Sequence, residues 1–157
     1  MSRSTIVYLG LGSNLDNPPF QLEKAVDSLS KTPSFSELKV SSTIQSPPLG
    51  GPEQPDYYNQ VCRLKTKDNA RAVFNHIRKI EDQQGRTRDV HWGPRTIDID
   101  ILIYGNHIVC ERDLVIPHSD MHRRVFVLKP LVELDENLID PITKFPFTQL
   151  YKQLISK

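Results

Sequence analysis

The chain has 157 residues, 38% hydrophobic and 25% charged, with 20 Lys and Arg against 19 Asp and Glu for a net charge of +1. That length predicts one domain over residues 1–157, able to bury about 68–70% of its unfolded surface, and the even balance supplies no global field to recruit nucleic acid or an anionic membrane. No apolar run approaches the ~20 residues that cross a bilayer, no secretory h-region precedes Thr5, and the isolated Cys62 and Cys110 suit reduced thiols, so a cytoplasmic protein is expected.

Thr5 to Leu11 is rich in β-formers and runs into Gly10 and Gly12, which predicts a strand closed by a tight turn. The run Leu9-Gly10-Leu11-Gly12-Ser13-Asn14 lacks the GK[ST] of a Walker loop and the third glycine of a dinucleotide fingerprint. Phosphates would therefore have to be held by side chains and metal. Asp16-Asn17-Pro18-Pro19 predicts a capped helix start, with Leu22, Ala25, Val26 and Leu29 on one face and Pro33 beyond the end. Leu38, Val40, Ser42 and Ile44 predict one alternating strand stopped by Pro47 and Pro48. Residues 46–56 hold four prolines and two glycines and read as a long loop.

A strand from about Tyr57 to Lys65 follows, then a helix capped by Asp68, with Ala70, Val73, Phe74, Ile77 and Ile80 on one face and Gly85 at its C-cap. Residues 86–94 read as a polar loop. Next come a strand ending at Tyr104, a Gly105-Asn106 turn and a short strand from His107 to Cys110. Met121 to Leu134 reads as mixed helix and loop interrupted by Pro130, and Thr148 to Ile155 as a short amphipathic helix. The order β-α-β-β-α-β with a C-terminal extension predicts a ferredoxin-like α+β sandwich. In it an antiparallel sheet carries both helices on one face and leaves the other open to a ligand.

The densest chemistry lies in Trp92-Gly93-Pro94-Arg95-Thr96-Ile97-Asp98-Ile99-Asp100. From Thr96 the pattern alternates strictly. Ile97, Ile99, Ile101 and Ile103 fall on one side; Asp98 and Asp100 fall on the other, roughly 6.5 Å apart along the strand. Like charges on a half-buried sheet repel and must be desolvated, so a cation should compensate them. Mg²⁺, held by one or two carboxylates plus substrate phosphates, fits best. Arg86, Arg88 and Arg95 are planar phosphate forks in waiting, and Trp92 is a large apolar group in a polar loop. His118 lies near the basic Arg123 and Arg124, and Tyr57-Tyr58-Asn59 offers aromatic faces and an amide able to match the edge of a planar heterocycle.

These segments, with Ser46-Pro47-Pro48-Leu49-Gly50, Gln54-Pro55-Asp56, Ile80-Glu81, Gln84-Gly85-Arg86-Thr87-Arg88 and Ile116-Pro117-His118, occur in an order that closely resembles the 6-hydroxymethyl-7,8-dihydropterin pyrophosphokinases of folate biosynthesis. The resemblance runs from about Tyr8 to Leu131. It implies a transfer of the terminal pyrophosphoryl unit of ATP to the hydroxymethyl oxygen of the reduced pterin, with release of AMP and dependence on two Mg²⁺ ions.

Residue by residue, it implies that Asp98 and Asp100 hold the metals and that Arg86 and Arg95 grip the triphosphate, with Arg88 and Trp92 on the same lid. His118 would contact phosphate. Arg78, Glu81, Ile101 and Ser119 would lie near the adenosine. The pterin would stack between Tyr57 and Phe126, be read by Asn59 and the backbone around Ser46, Pro47 and Leu49, and lie against Trp92 and Asp98, with Arg124 bordering its pocket. His91 stands where members often carry arginine, and Arg78 replaces an uncharged polar residue seen in some members. A monomer is expected. Two readings from other classes remain: a non-catalytic nucleotide- or RNA-binding module using the open face, and a two-metal nucleotidyltransferase or cyclase that would release pyrophosphate rather than AMP. Near-neutral charge and the lack of an aromatic pair on the central strands count against RNA.

Overall fold

The computed structural model describes residues 3–48, 53–85 and 96–156. The expectations for Leu49, Arg86, Arg88, Trp92 and Arg95 fall outside them. The elements run β1 (Thr5–Ser13), α1 (Pro18–Ser30), β2 (Phe35–Val40), β3 (Ile44–Ser46), β4 (Tyr57–Thr66), α2 (Ala70–Gln83) and β5 (Asp98–Tyr104). Then follow a hairpin of β6 (Val109–Glu111) and β7 (Leu114–Ile116), a 3₁₀ turn (Met121–Arg123), α3 (Val125–Leu134) and α4 (Phe147–Ile155). The main sheet has the order β2-β4-β1-β5, with β3 also paired to β4, and every pairing is antiparallel. This is the ferredoxin-like α+β arrangement expected.

Alternation decides which side chains meet the helices. Val7, Leu9 and Leu11 of β1, Cys62 and Leu64 of β4, and Ile97, Ile99 and Ile101 on and just before β5 bury against Leu22, Ala25 and Leu29 of α1 and Val73, Ile77 and Ile80 of α2. Each such aliphatic side chain contributes on the order of 1.5–3 kcal/mol when fully buried.

The stripe breaks at its last member. Tyr8 pairs with Ile103 and Leu9 with Ile101, so Leu102 is an extra residue in a bulge. Past it the faces exchange. Ile103 joins Leu102 on the outer side of the sheet, while Tyr104 takes the expected place of Ile103 on the helix side and donates its hydroxyl to the Asp68 carbonyl.

Several local expectations are corrected. β1 runs straight through Gly10 and Gly12 to Ser13 rather than turning there. Asn17 stands at the α1 N-cap with φ 63° and no side-chain cap bond, so Pro18 and Pro19 set the entry. The predicted single strand over Leu38–Ile44 is split, because Ser41 turns aside: its N–H donates to the Val61 carbonyl and its Oγ accepts from Val61 N–H, each at 2.9 Å. The α2 cap is Asn69, whose Oδ1 accepts from Ala72 N–H at 2.8 Å; Asp68 instead faces His76 at 3.3 Å. Gly85, with φ +84°, is the left-handed residue just past the Gln84 C-cap.

Pro130 lies inside α3 rather than interrupting it. The lost N–H bond is offset by burial of Val127, Leu128 and Leu131 in the outer core. That outer core corrects the open-face expectation too. With Phe147 of α4, these side chains cover Tyr8, Val61, Leu102 and Ile103. Among the described residues the outer core closes part of the second face and leaves the end near Ser13, Tyr57 and Asp98 uncovered.

Candidate functional site

Two rungs of the sheet build this uncovered end. Gly12 pairs with Asp98 on one side and Asn59 on the other, and Asn59 pairs in turn with Ile44. One step inward, Gly10 lies between Asp100 and Val61. Neighbouring strands are ~4.8 Å apart, so the backbones bearing Asp98 and Asn59 lie roughly 10 Å apart across a floor with no side chain. A Cβ on Gly12 would sit 3.5 Å from both Asn59 Oδ1 and Tyr57 Cδ1, which shows that these side chains wall the space above it. Gly10 serves a different need: a Cβ there would come within 3.2 Å of Leu102, the bulged residue where the outer core begins.

Asn59 is held firmly. It is 6% exposed, and its Nδ2 donates to the Ile44 carbonyl at 3.0 Å and to Ser46 Oγ at 2.8 Å. A carbonyl can only accept, so the nitrogen must face β3, and the group turned to Gly12 is the Oδ1 acceptor. Ser46, buried and paired with Tyr57, is what aims this amide. Asn14, just past β1, donates Nδ2 to Gln54 Oε1 at 2.8 Å and to the Pro55 carbonyl at 3.0 Å, which ties the segment before Tyr57 to the sheet.

Across the glycine floor, Asp98 and Asp100 alternate with the core residue Ile99 and therefore project from the pocket face. The Asp100 side chain is 42% exposed, with its Oδ2 3.9 Å from His118 Nε2. His118 follows the cis Ile116–Pro117 bond and is fixed by its N–H to the Leu102 carbonyl at 3.1 Å. Its Nδ1 accepts from Asp120 N–H at 3.2 Å, so the neutral ring carries its proton on Nε2, facing Asp100. Burial, and then the Arg124 guanidinium, hold the His118 pKa below its usual value against the pull of Asp120 and Asp98. Arg124 lies 3.6 Å from Asp120 and places its guanidinium 5.8 Å from the Phe126 ring centroid.

The donor set suits a hard cation. Among the described residues no group of three or more His, Cys, Asp or Glu gathers as a metal site. An ion on Asp98 and Asp100 would thus keep most of its shell for water and substrate oxygens, which is how Mg²⁺ is commonly held.

The structure brings together Ser46, Tyr57, Asn59, Asp98, Asp100, His118 and Arg124 around the half-open face, while Phe126 packs against the outer core beneath the Arg124 guanidinium. Ser119 and Pro47 are exposed near its rim. Three expected residues lie elsewhere. Ile101 packs its side chain into the helix-side core and has only backbone to offer a ligand. Arg78 lies on the exposed side of α2, over the Phe74 ring at 5.4 Å, across the sheet from the carboxylates. Glu81 is buried beneath β5 and accepts from the Ile99 N–H at 2.8 Å. Missed from the sequence was Gly12, read as part of a turn. Its signal was the shared face of Tyr8, Gly10 and Gly12, opposite to that of Val7, Leu9 and Leu11.

Comparison with known proteins identifies the family and the fold. Residues 8–136 match the family described as 7,8-dihydro-6-hydroxymethylpterin-pyrophosphokinase. The chain is 42% identical over 146 residues to the 2-amino-4-hydroxy-6-hydroxymethyldihydropteridine pyrophosphokinase of Haemophilus influenzae, covering 93% of this chain and 91% of that protein. It is 40% identical over 132 residues to the Pseudomonas aeruginosa protein of the same name, covering 84% and 82%. It also matches the Bifunctional protein FolKE of Lactococcus lactis subsp. cremoris at 40% identity, covering 83% of this chain but 37% of that one. In fold it resembles a Plasmodium falciparum HPPK-DHPS crystal structure with TM-score 0.79 at 15% identity, spanning 99% of this chain and 46% of that one.

Proposed function

Because the chain belongs to the 7,8-dihydro-6-hydroxymethylpterin-pyrophosphokinase family, we infer that it transfers the pyrophosphoryl unit of ATP to the hydroxymethyl group of 6-hydroxymethyl-7,8-dihydropterin in folate biosynthesis. The hydroxymethyl oxygen bonds to the β-phosphorus, the bond from that phosphorus to the α,β-bridging oxygen breaks, AMP leaves, and the hydroxyl proton passes to solvent. The observation that carries the site assignment is the rung Asp98–Gly12–Asn59. It sets a carboxylate and an aimed amide on opposite sides of a bare floor wide enough for a flat ring.

In this reading the pterin lies over Gly12, between Tyr57 and Phe126, with Asn59 Oδ1 accepting from its amino edge and the backbone around Ser46, Pro47 and Leu49 reading the rest of the ring. Asp98 and Asp100 would hold two Mg²⁺ ions. When bound, those ions would supply charge neutralisation during the transfer. Phosphoryl transfer asks mainly for positioning and charge compensation. His118 is neutral there and offers its Nε2–H as a donor to phosphate, and Arg124 adds positive charge at the pocket border. Arg86, Arg88 and Arg95 grip the triphosphate and Trp92 shields the pterin from water, which would otherwise hydrolyse ATP. Ser119 and the backbone at Ile101 frame the adenosine side, and Arg78 and Glu81, on the helix side of the sheet, take no direct part in it. The protein works as a cytoplasmic monomer on small-molecule substrates, without nucleic-acid or membrane partners. Among the described residues no helix is long and apolar enough to cross a membrane.

Phosphorus NMR of ATP with the hydroxymethyl-dihydropterin tests the chemistry. AMP and a pterin diphosphate should grow together. ADP as the product, or no turnover, would overturn the reading.

A further inference from the structure

Glu81 is 2% exposed in the last turn of α2, and its Oε2 accepts from the Ile99 backbone N–H at 2.8 Å. Ile99 lies between Asp98 and Asp100 on β5, the outermost strand of the sheet. Along an antiparallel strand successive N–H groups point to opposite edges, so an Ile99 N–H turned to Glu81 means that those of Asp98 and Asp100 turn to β1. An edge strand normally frays or pairs with another chain because its outward N–H groups lack partners. Among the described residues no strand pairs with this edge, and a helix side chain meets it at the residue between the two acids.

We propose that Glu81 is a positioning residue, whose buried carboxylate holds the Ile99 amide and so fixes the two flanking carboxylates on the pocket face. This rests on the reading of Asp98 and Asp100 as metal ligands. It makes the role of Glu81 one of strand registry, exerted through backbone from the helix side of the sheet. Gln keeps a neutral acceptor at the same reach; Met fills the same space without one.

The test uses the whole protein as wild type, Glu81→Gln and Glu81→Met. Mn²⁺ binding is followed by electron paramagnetic resonance in the presence of a non-hydrolysable ATP analogue, and Ile99 amide exchange by NMR. Glu81→Gln should keep Mn²⁺ affinity and Ile99 protection within about twofold, whereas Glu81→Met should weaken both by ~10-fold or more, as expected for a buried donor left without its acceptor. Unchanged Mn²⁺ affinity in Glu81→Met would overturn the proposal, as would equal damage in Glu81→Gln, which would show that charge rather than an acceptor is needed. Should Glu81→Met fail to fold, Glu81→Gln decides alone: retained affinity supports registry and a weakened one refutes it. Should the wild type bind no Mn²⁺, the metal reading falls, and Ile99 protection unchanged in Glu81→Met would sink the registry claim separately.

Discussion

Gly12→Ala separates folding from recognition, because the two should respond with opposite signs. The backbone at Gly12 is ordinary strand, without the positive φ seen at Gly85 and Gly105, so alanine adopts it without strain. The new Cβ would lie 3.5 Å from Asn59 Oδ1 and Tyr57 Cδ1 and 3.9 Å from Tyr57 Cε1, all ordinary van der Waals separations. Restricting the unfolded chain should then stabilise the protein by ~0.4–1 kcal/mol, or about 1–4 °C in Tm for a chain of this size. The methyl group nevertheless rises from the floor on which the pterin ring would rest. Overpacking by one methyl typically costs ~1–3 kcal/mol, and at 1.4 kcal/mol per tenfold this weakens pterin binding by roughly 5- to 150-fold. Thermal melts with steady-state kinetics in each substrate check this. Tm should hold or rise, KM for the pterin should climb, and KM for ATP should stay. A pterin KM that does not move would refute the floor, and so would equal losses in both substrates. Gly10→Ala is the internal control: its Cβ presses on Leu102 at 3.2 Å, so it should lower Tm and leave the pterin KM alone.

Asp98→Ala and Asp100→Ala should each abolish turnover while far-UV circular dichroism is unchanged, since neither side chain belongs to either core cluster; wild-type rates in both would remove the metal assignment. The second prediction concerns Asp140, fully buried and joined to His122 Nε2 at 2.9 Å, Thr143 Oγ1 at 2.7 Å and the Ile142 N–H at 3.1 Å. Burial pushes its carboxyl pKa up, but hydrogen bonds from Thr143, Ile142 and His122 outweigh it, leaving the group below its ordinary value. A lowered folded pKa means that the unfolded chain takes the proton more readily. The stabilisation is therefore present above the unfolded value of about 4 and is lost as pH falls through the folded one. Asp140→Asn should cost ~1–3 kcal/mol in urea melts between pH 5 and 8, and the gap to wild type should close below about pH 4; a gap that stays constant or widens on acidification would refute this.

What could be read from the sequence, and what could not, follows from the range of the interactions involved. The alternation from Ile97 to Asp100 is local, and it correctly sends the isoleucines to the helices and the acids to the pocket. The same rule fails at Ile103, because nothing within β5 announces that β1 will pair Leu9 with Ile101 and skip Leu102. That register is fixed between strands ninety residues apart in sequence, where Gly10 makes room for the Leu102 side chain. Ser41 likewise breaks the Leu38–Ile44 strand through a partner, Val61, that a window of local residues does not contain. Asn69 rather than Asp68 caps α2, an error of one residue between two competent caps.

The bulge also explains why the pocket is only half a sheet wide. By turning Ile103 outward beside Leu102, it supplies the apolar patch that α3 and α4 need, and those helices then close the far half of the face. Their arrival delivers the rest of the site. The segment entering α3 hangs on the Leu102 carbonyl through the His118 N–H, and from that anchor His118 reaches Asp100 while Arg124 lies close enough to His118 to lower its pKa and covers the Phe126 ring. A strand without the extra residue would keep Ile103 in the helix-side core and leave this segment with less to pack on. The acids would remain in place, but the histidine and the arginine would lose their footing. The residue that interrupts the β5 pattern thus links the folding of the C-terminal extension to assembly of the site, and neither local periodicity nor the Asp98–Asp100 motif carries that information.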